Sequence, residues 1–387
     1  MSQKRATFIT TGGVILLLFS ITVFLFPSLT KVTYSRELLS SEESTVVEPA
    51  TITHLPTPEP LKALYMTSCV AATPSWRTSL KELIETTELN AVVIDIKDYT
   101  GTISFPNDFP KGTLQRGCVV SDLKDFVAEL HQSNIYVIGR ISVFQDLSYT
   151  QVFPELAVKS MSTGGVWKDH KGISFIDVGA KPYWDYIINI SKASYALGFD
   201  ELNYDYVRYP SDGNMQDANY AWMTASSTRA EMLESFFSYL HGNLKDSGVK
   251  MSVDIFGMTT TMTTDMGIGQ VLEKALPYFD YVAPMVYPSH YPNGWNGFAN
   301  PAEYPYEVIK TSMSQGRERE IALNIANGLA TTTPSKLRPW LQDFNLGATY
   351  DTTKVRAQMQ ATYDVGLTSW MLWSAANKYT KEALLSE

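Results

Sequence analysis

Short apolar runs rich in β-branched and aromatic residues alternate, from Ala63 onward, with longer stretches whose apolar positions recur at helical spacing. Eight runs predict strands: residues 63–67, 91–97, 136–144, 201–208, 251–257, 281–287, 321–327 and 367–373. Seven stretches between them predict helices: 78–88, 121–133, 184–197, 229–246, 268–276, 306–315 and 354–364. Ser121 stands where an N-cap belongs, ahead of Leu123, Phe126, Val127 and Leu130. Gly198 and Gly248 stand where helices should end. Strand and helix in strict alternation imply a parallel sheet with crossovers, and eight units favour closure into a (β/α)8 TIM barrel. An open doubly wound sheet would want a Gly-rich phosphate turn after its first strand. The run Tyr65-Met66-Thr67-Ser68 offers none.

The N-terminal segment has a different pattern. Lys4 and Arg5 precede an uncharged apolar run over residues 8–29, long enough for a bilayer core. Positive charge before such a run predicts a cytoplasmic N-terminus with the remainder outside. Residues 1–29 therefore read as a signal anchor, with a cleaved signal peptide as the competitor. Residues 30–60 carry Ser, Glu and four Pro between 49 and 60, the composition of an extended tether. The barrel is expected over 61–387. On this reading the protein is tied to a membrane and its barrel lies outside the cytoplasm.

Composition narrows the function classes. Hydrophobic residues make up 44% and charged residues 18%, which marks a folded chain and not a disordered one. Net charge is −9, so a nucleic-acid surface, which needs clustered Lys and Arg, is not expected. Neither a Gly-rich phosphate loop nor a Cys/His ligand spacing occurs, so no cofactor and no metal are expected. Cys69 and Cys118 are open between a disulfide and two isolated thiols. Eight Trp and 22 Tyr serve either a large core or the apolar faces of sugar rings.

Polar residues at the C-terminal ends of strands carry the chemistry in such barrels. In the fourth predicted strand Glu201, Asn203 and Asp205 share a face, with Asp205 nearest that end. A polar row inside a barrel is costly unless it is paired or used, and Arg208 or Lys97 could pair Asp205. In the second strand Asp95 shares a face with Lys97, and Asp98 follows in the loop; an Asp–Lys pair is the structural alternative to catalysis there. In the fifth strand Asp254 is one carboxylate among apolar neighbours, which raises its pKa and suits a proton donor. Tyr287 and His290 leave the sixth strand, Trp340 follows the seventh, and Trp373 should point to the mouth from the eighth. Asp205 with Asp254 is the simplest pair for glycoside hydrolysis, with Asp95 as the third candidate. Lys97, Asp98, Glu201, Asn203, Arg208, Tyr287, His290, Trp340 and Trp373 are the candidate sugar contacts.

Several of these segments also resemble a known family. They are 90–98 with Asp95 and Asp98, 199–210 with Asp205 and Arg208, and 252–257 with Asp254. With 176–179, 282–291 and 338–344, they are similar to the glycosyl-hydrolase-like bacterial domain of unknown function number 4015. The motifs keep their order over nearly the whole predicted barrel. The fourth-strand motif departs mildly, with Asn203 and Tyr204 where the family carries Gln and Phe. The resemblance implies a barrel related to glycoside hydrolases, often attached to bacterial envelopes. The expectation is a glycosidase acting on an envelope or extracellular polysaccharide; the alternative is a glycan-binding barrel without catalysis.

Overall fold

The computed structural model describes residues 53–113, 116–224 and 226–386. The predicted anchor, and the predicted tether up to residue 52, lie outside them. Among the described residues no helix is long and apolar enough to cross a membrane.

Eight parallel strands close into a barrel: β1 (Lys62–Met66), β2 (Ala91–Lys97), β3 (Tyr136–Ser142), β4 (Glu201–Asp205), β5 (Lys250–Phe256), β6 (Tyr281–Met285), β7 (Trp340–Gln342) and β8 (Trp370–Trp373). Each strand pairs with its chain neighbours, and β1 pairs with both β2 and β8. The intervening helices are α1 (Pro74–Glu85), α2 (Leu123–Gln132), α3 (Lys181–Tyr195), α4 (Arg229–Leu244), α5 (Leu272–Ala275), α6 (Pro305–Ala326) and α7 (Thr352–Asp364). This is the (β/α)8 architecture expected from the sequence.

One strand is elsewhere. Residues 321–327 do not form the seventh strand; they finish α6. Buried positions along α6, among them Val308, Ile309, Ser312, Met313, Gly316 and Glu320, keep helical spacing up to that run. The run itself turns outward, with Ile325 55% exposed. The true β7 has three residues, too few for a period to register, and it includes Trp340 and Gln342. Each predicted helix also shifts at one end or both, and two of these shifts have a visible cause. The stretch 268–276 is helical only over α5, because Gly267 and Gly269 adopt positive φ. Ser121 is not an N-cap: α2 starts at Leu123 behind Asp122, which pairs with Arg77 instead.

Alternation divides each strand between two cores. Outward residues such as Val92, Ile94, Leu202 and Tyr204 join the helices in the main core. Inward residues Ala63, Tyr65, Val93, Ile138, Trp340 and Met371 fill the barrel. β4 departs from this, because its inward positions are Glu201, Asn203 and Asp205, all buried.

Residues 53–60, assigned above to the tether, lie against the N-terminal end of the barrel. The Leu55 N–H donates to Asp200 Oδ1 at 2.7 Å, and His54 stacks on Tyr195 at 3.9 Å. Thr57 Oγ1 bonds the Tyr136 hydroxyl at 3.0 Å. At the opposite end, the loops after β3 and β4 pair with each other. Lys159–Ser160 runs antiparallel to Ala218–Asn219 over a small core of Val158, Trp167 and Phe175.

Cys69 and Cys118 form a disulfide, with Cα atoms 4.8 Å apart across 49 residues. It ties the segment after β1 to the loop before α2. Closing a loop of that length restricts the unfolded chain by about 4 kcal/mol in the chain-entropy picture. The double substitution Cys69→Ser/Cys118→Ser is therefore expected to lower unfolding stability by about 2–4 kcal/mol. Denaturant titration of both proteins, with and without reductant, measures this; equal midpoints would contradict it.

Candidate active site

The barrel interior carries its polar groups in tiers. At the bottom, Glu201 forms a buried ion pair with Arg338, whose guanidinium lies 4.3 Å from the Tyr281 ring centre. Ser252 Oγ donates to Glu201 Oε1 at 2.5 Å. The register pairs Asn203 with Ser252 and Tyr204 with Val253. The next inward positions, Asp205 and Asp254, are thereby brought to one level on neighbouring strands.

Asp254 is buried, and its Oδ1 accepts two hydrogen bonds of 2.8 Å, from Asn203 Nδ2 and Trp340 Nε1. Among the described residues nothing bonds Oδ2, and Asp254 lines the cavity above. Burial, reinforced by the negative charge of Asp205, pushes its pKa up to about 8; the Asn203 bond, the Arg140 charge and the Trp340 bond oppose only part of that.

Asp205 is held differently. Its Oδ2 accepts from both Nε (3.1 Å) and an NH2 group of Arg140, and its Oδ1 accepts from the Tyr206 N–H at 2.5 Å. Tyr206 itself sits at φ 53, a left-handed conformation uncommon outside glycine. Arg140 also donates to Asp95 Oδ1 at 2.6 Å, and Tyr65 donates to Asp95 Oδ2 at 2.5 Å. One guanidinium thus bridges two carboxylates, Asp95 on β2 and Asp205 on β4. Burial raises the Asp95 pKa, opposed by Arg140 and Tyr65.

Above this tier opens a cavity of about 350 Å³. Asp205, Asp254 and Arg140 line it together with Arg208, Phe256, Tyr287, His290, Tyr291 and Trp373. Trp373 is held by stacking on Tyr65 at 4.0 Å and by the edge of Trp340 at 5.6 Å. Tyr287 packs edge-on to His290 and Phe344.

Of the residues singled out from sequence, Asp205, Asp254, Arg208, Tyr287, His290 and Trp373 meet at this cavity. Asn203 and Trp340 sit behind it as donors to Asp254. Four others lie off it. Asp95 holds Arg140. Lys97 is buried against Asp146 at 2.8 Å and the Ser142 carbonyl at 2.6 Å. Asp98 Oδ1 caps its own loop, accepting from the Thr100 N–H at 2.9 Å. Glu201 belongs to the bottom pair. Arg140 is the cation that sequence reading missed, although Arg208 and Lys97 were weighed as partners for Asp205. Its signal was present: in β3, Tyr136, Ile138, Arg140 and Ser142 alternate on the inward face. Among the described residues, no group of three or more His, Cys, Asp or Glu is placed to hold a metal ion.

Residues 63–379 match the family model described as "Putative glycosyl hydrolase domain", domain of unknown function 4015. The chain belongs to this family. The match runs from the second residue of β1 through β8 and includes every cavity residue. Among solved structures, this family member resembles the PgaB (BpsB) glycoside hydrolase domain from Bordetella bronchiseptica. The identity is 15%, over 84% of this chain and 97% of that one, with a TM-score of 0.58. A chitobiase from Flavobacterium johnsoniae matches at 10% identity, over 84% of this chain and 47% of that one, with a TM-score of 0.50. A hypothetical protein from Ruminiclostridium thermocellum is 30% identical over 49% of this chain and 96% of its own, with a TM-score of 0.44. No curated protein matches the sequence. At these identities the first two likenesses concern the fold.

Proposed function

We propose that the barrel is a glycoside hydrolase in which Asp254 is the general acid and Asp205 its ionised partner. The observation that carries this is the pair itself: two inward carboxylates at one level of one cavity, in opposite environments. Asp254 keeps its proton near neutral pH because it is buried without a counter-ion of its own. Asp205 faces the same space as an anion ion-paired to Arg140. Separated environments of this kind assign an acid and a base or nucleophile. As the glycosidic C–O bond breaks, Asp254 Oδ2 passes its proton to the leaving oxygen. Asp205 either attacks the anomeric carbon or takes a proton from the attacking water. The aromatic walls suit the apolar faces of a sugar.

The pH dependence follows from the direction of the Asp254 shift. The acid is competent below its pKa, so kcat/KM should fall as pH rises through about 8. Asp205→Asn keeps the shape of the site but removes the anion. It should lower turnover of a responsive polysaccharide by roughly 10²-fold or more. Unchanged turnover in this variant would sink the assignment.

A second reading has its own observation. Asp205 is already committed to Arg140, which suits a barrel that binds glycan without cutting it. Such a protein would release no reducing ends, and Asp205→Asn would alter affinity alone.

The substrate we infer is an envelope or extracellular glycan. The Cys69–Cys118 disulfide supports an oxidising compartment. The apolar run over residues 8–29 supports export, with retention at a membrane if it stays attached.

A further inference from the structure

The mouth holds a second recess beside the catalytic cavity, about 340 Å³ in volume. Tyr206 and Arg208 are walls of both. Its far side is the hairpin around residues 168–175 together with Ser211 and Asp212. This wall is supported from behind. Lys168 bridges Ser174, Asp169 Oδ1 accepts from the N–H groups of Lys171 and Ile173 at 2.8 Å each, and Trp167 packs beneath with Val158.

One polar group in the recess is buried without a partner, and a second is only partly engaged. Gln145 is buried, and among the described residues its carboxamide oxygen accepts no hydrogen bond. A desolvated acceptor left unmatched is destabilising unless something else satisfies it. Gln145 is one of the residues that line the recess. Arg208 makes no ion pair among the described residues. One terminal nitrogen donates to the Tyr209 carbonyl and to Ser211 Oγ, and among the described residues Nε and the other NH2 group make no hydrogen bond. Its guanidinium lies 5.0 Å from the Phe256 ring on one side and 5.7 Å from Phe175 on the other. Tyr99, 42% exposed, adds an aromatic face at the rim. An acceptor, a fork of donors and aromatic faces around one sugar-sized space are what a ring bearing several hydroxyls requires.

We propose that this recess is a second sugar subsite, joined to the catalytic cavity across Tyr206 and Arg208, so that the substrate is a glycan chain bound on both sides of that wall and cut internally. The proposal rests on the hydrolase reading above for its catalytic half only. Gln145 accepts from a sugar hydroxyl, Arg208 donates to a hydroxyl or ring oxygen, and Tyr99 lies along a ring face.

The test uses the full chain carrying Asp254→Asn, titrated calorimetrically with chito-oligosaccharides and cello-oligosaccharides of two to six units. Affinity in one series should rise about tenfold or more between two and five units, as one or two added hydrogen bonds allow. That ratio should collapse when Gln145→Leu is added, and again when Tyr99→Ala is added in its place. Affinity that stops growing at two units, a ratio unchanged in both double variants, or no binding by either series overturns the proposal. Cleavage by the unmodified protein is read separately. Length-dependent binding without cleavage sinks the hydrolase reading and supports the recess. Cleavage with a flat length profile does the reverse.

Discussion

Asp254→Asn should abolish glycan hydrolysis while leaving a folded barrel. Loss of a positioned proton donor removes roughly 10²–10⁴-fold in rate. The substitution is close to isosteric, and its remaining oxygen can keep the bonds from Asn203 Nδ2 and Trp340 Nε1. Stability should move in the other direction from activity. Because the folded-state pKa of Asp254 is raised, the unfolded chain releases this proton first as pH rises above about 4. Native stability therefore falls between about pH 4 and about pH 8, where the folded state also ionises. Asn has no proton to lose, so the variant should match the parent near pH 4 and exceed it above pH 8. Reducing-end release and denaturant midpoints at both pH values test the two halves together. A variant that is inactive because it is unfolded, or active at full rate, would contradict the role given to this residue.

Arg140→Met should be the most destabilising single change in the site. It leaves Asp95 and Asp205 buried with no cation between them. Removing one partner of a buried ion pair costs about 3–5 kcal/mol, because the other charge stays desolvated. Here two charges are stranded. Both would take up protons, raising their folded-state pKa values, so the deficit should be largest above pH 7 and shrink as pH falls. Adding Asp95→Asn should recover part of the loss, since one stranded charge is then gone. Arg140→Lys should not restore activity: a point ammonium cannot match two carboxylates on different strands as a planar fork does. Denaturation of the single and double variants measures the coupling. Independent, additive effects would overturn the bridging role.

Much of this barrel was legible in the sequence because strand and helix have different periods. Seven of the eight strands were read from alternation or from buried apolar runs. The seventh failed because Trp340–Gln342 is shorter than any window that detects a period, while the apolar residues near the end of α6 resemble a strand. The site was legible as far as facing direction goes. Period two places Asp205, Asp254 and Trp373 inside, and position along the strand separates Asp205 at the mouth from Glu201 at the bottom. It does not say which cation meets which carboxylate, since that depends on cross-strand register. Arg140 lies within β3 and Arg208 three residues beyond β4, and only the closed sheet shows that Arg140 is the bridge.

The tiered interior also has an electrostatic sum. Asp95, Glu201 and Asp205 are faced by two guanidiniums, Arg140 and Arg338, while Asp254 holds its proton. The occupied centre of the barrel is therefore one charge short of neutral, and would become two short if Asp254 gave its proton away as proposed. In the proposed hydrolysis a sugar ring at the mouth would acquire positive, oxocarbenium-like character at that same moment. The scaffold below it acts as a fixed negative potential that deepens as the bond breaks, and it requires no movement of the protein to do so.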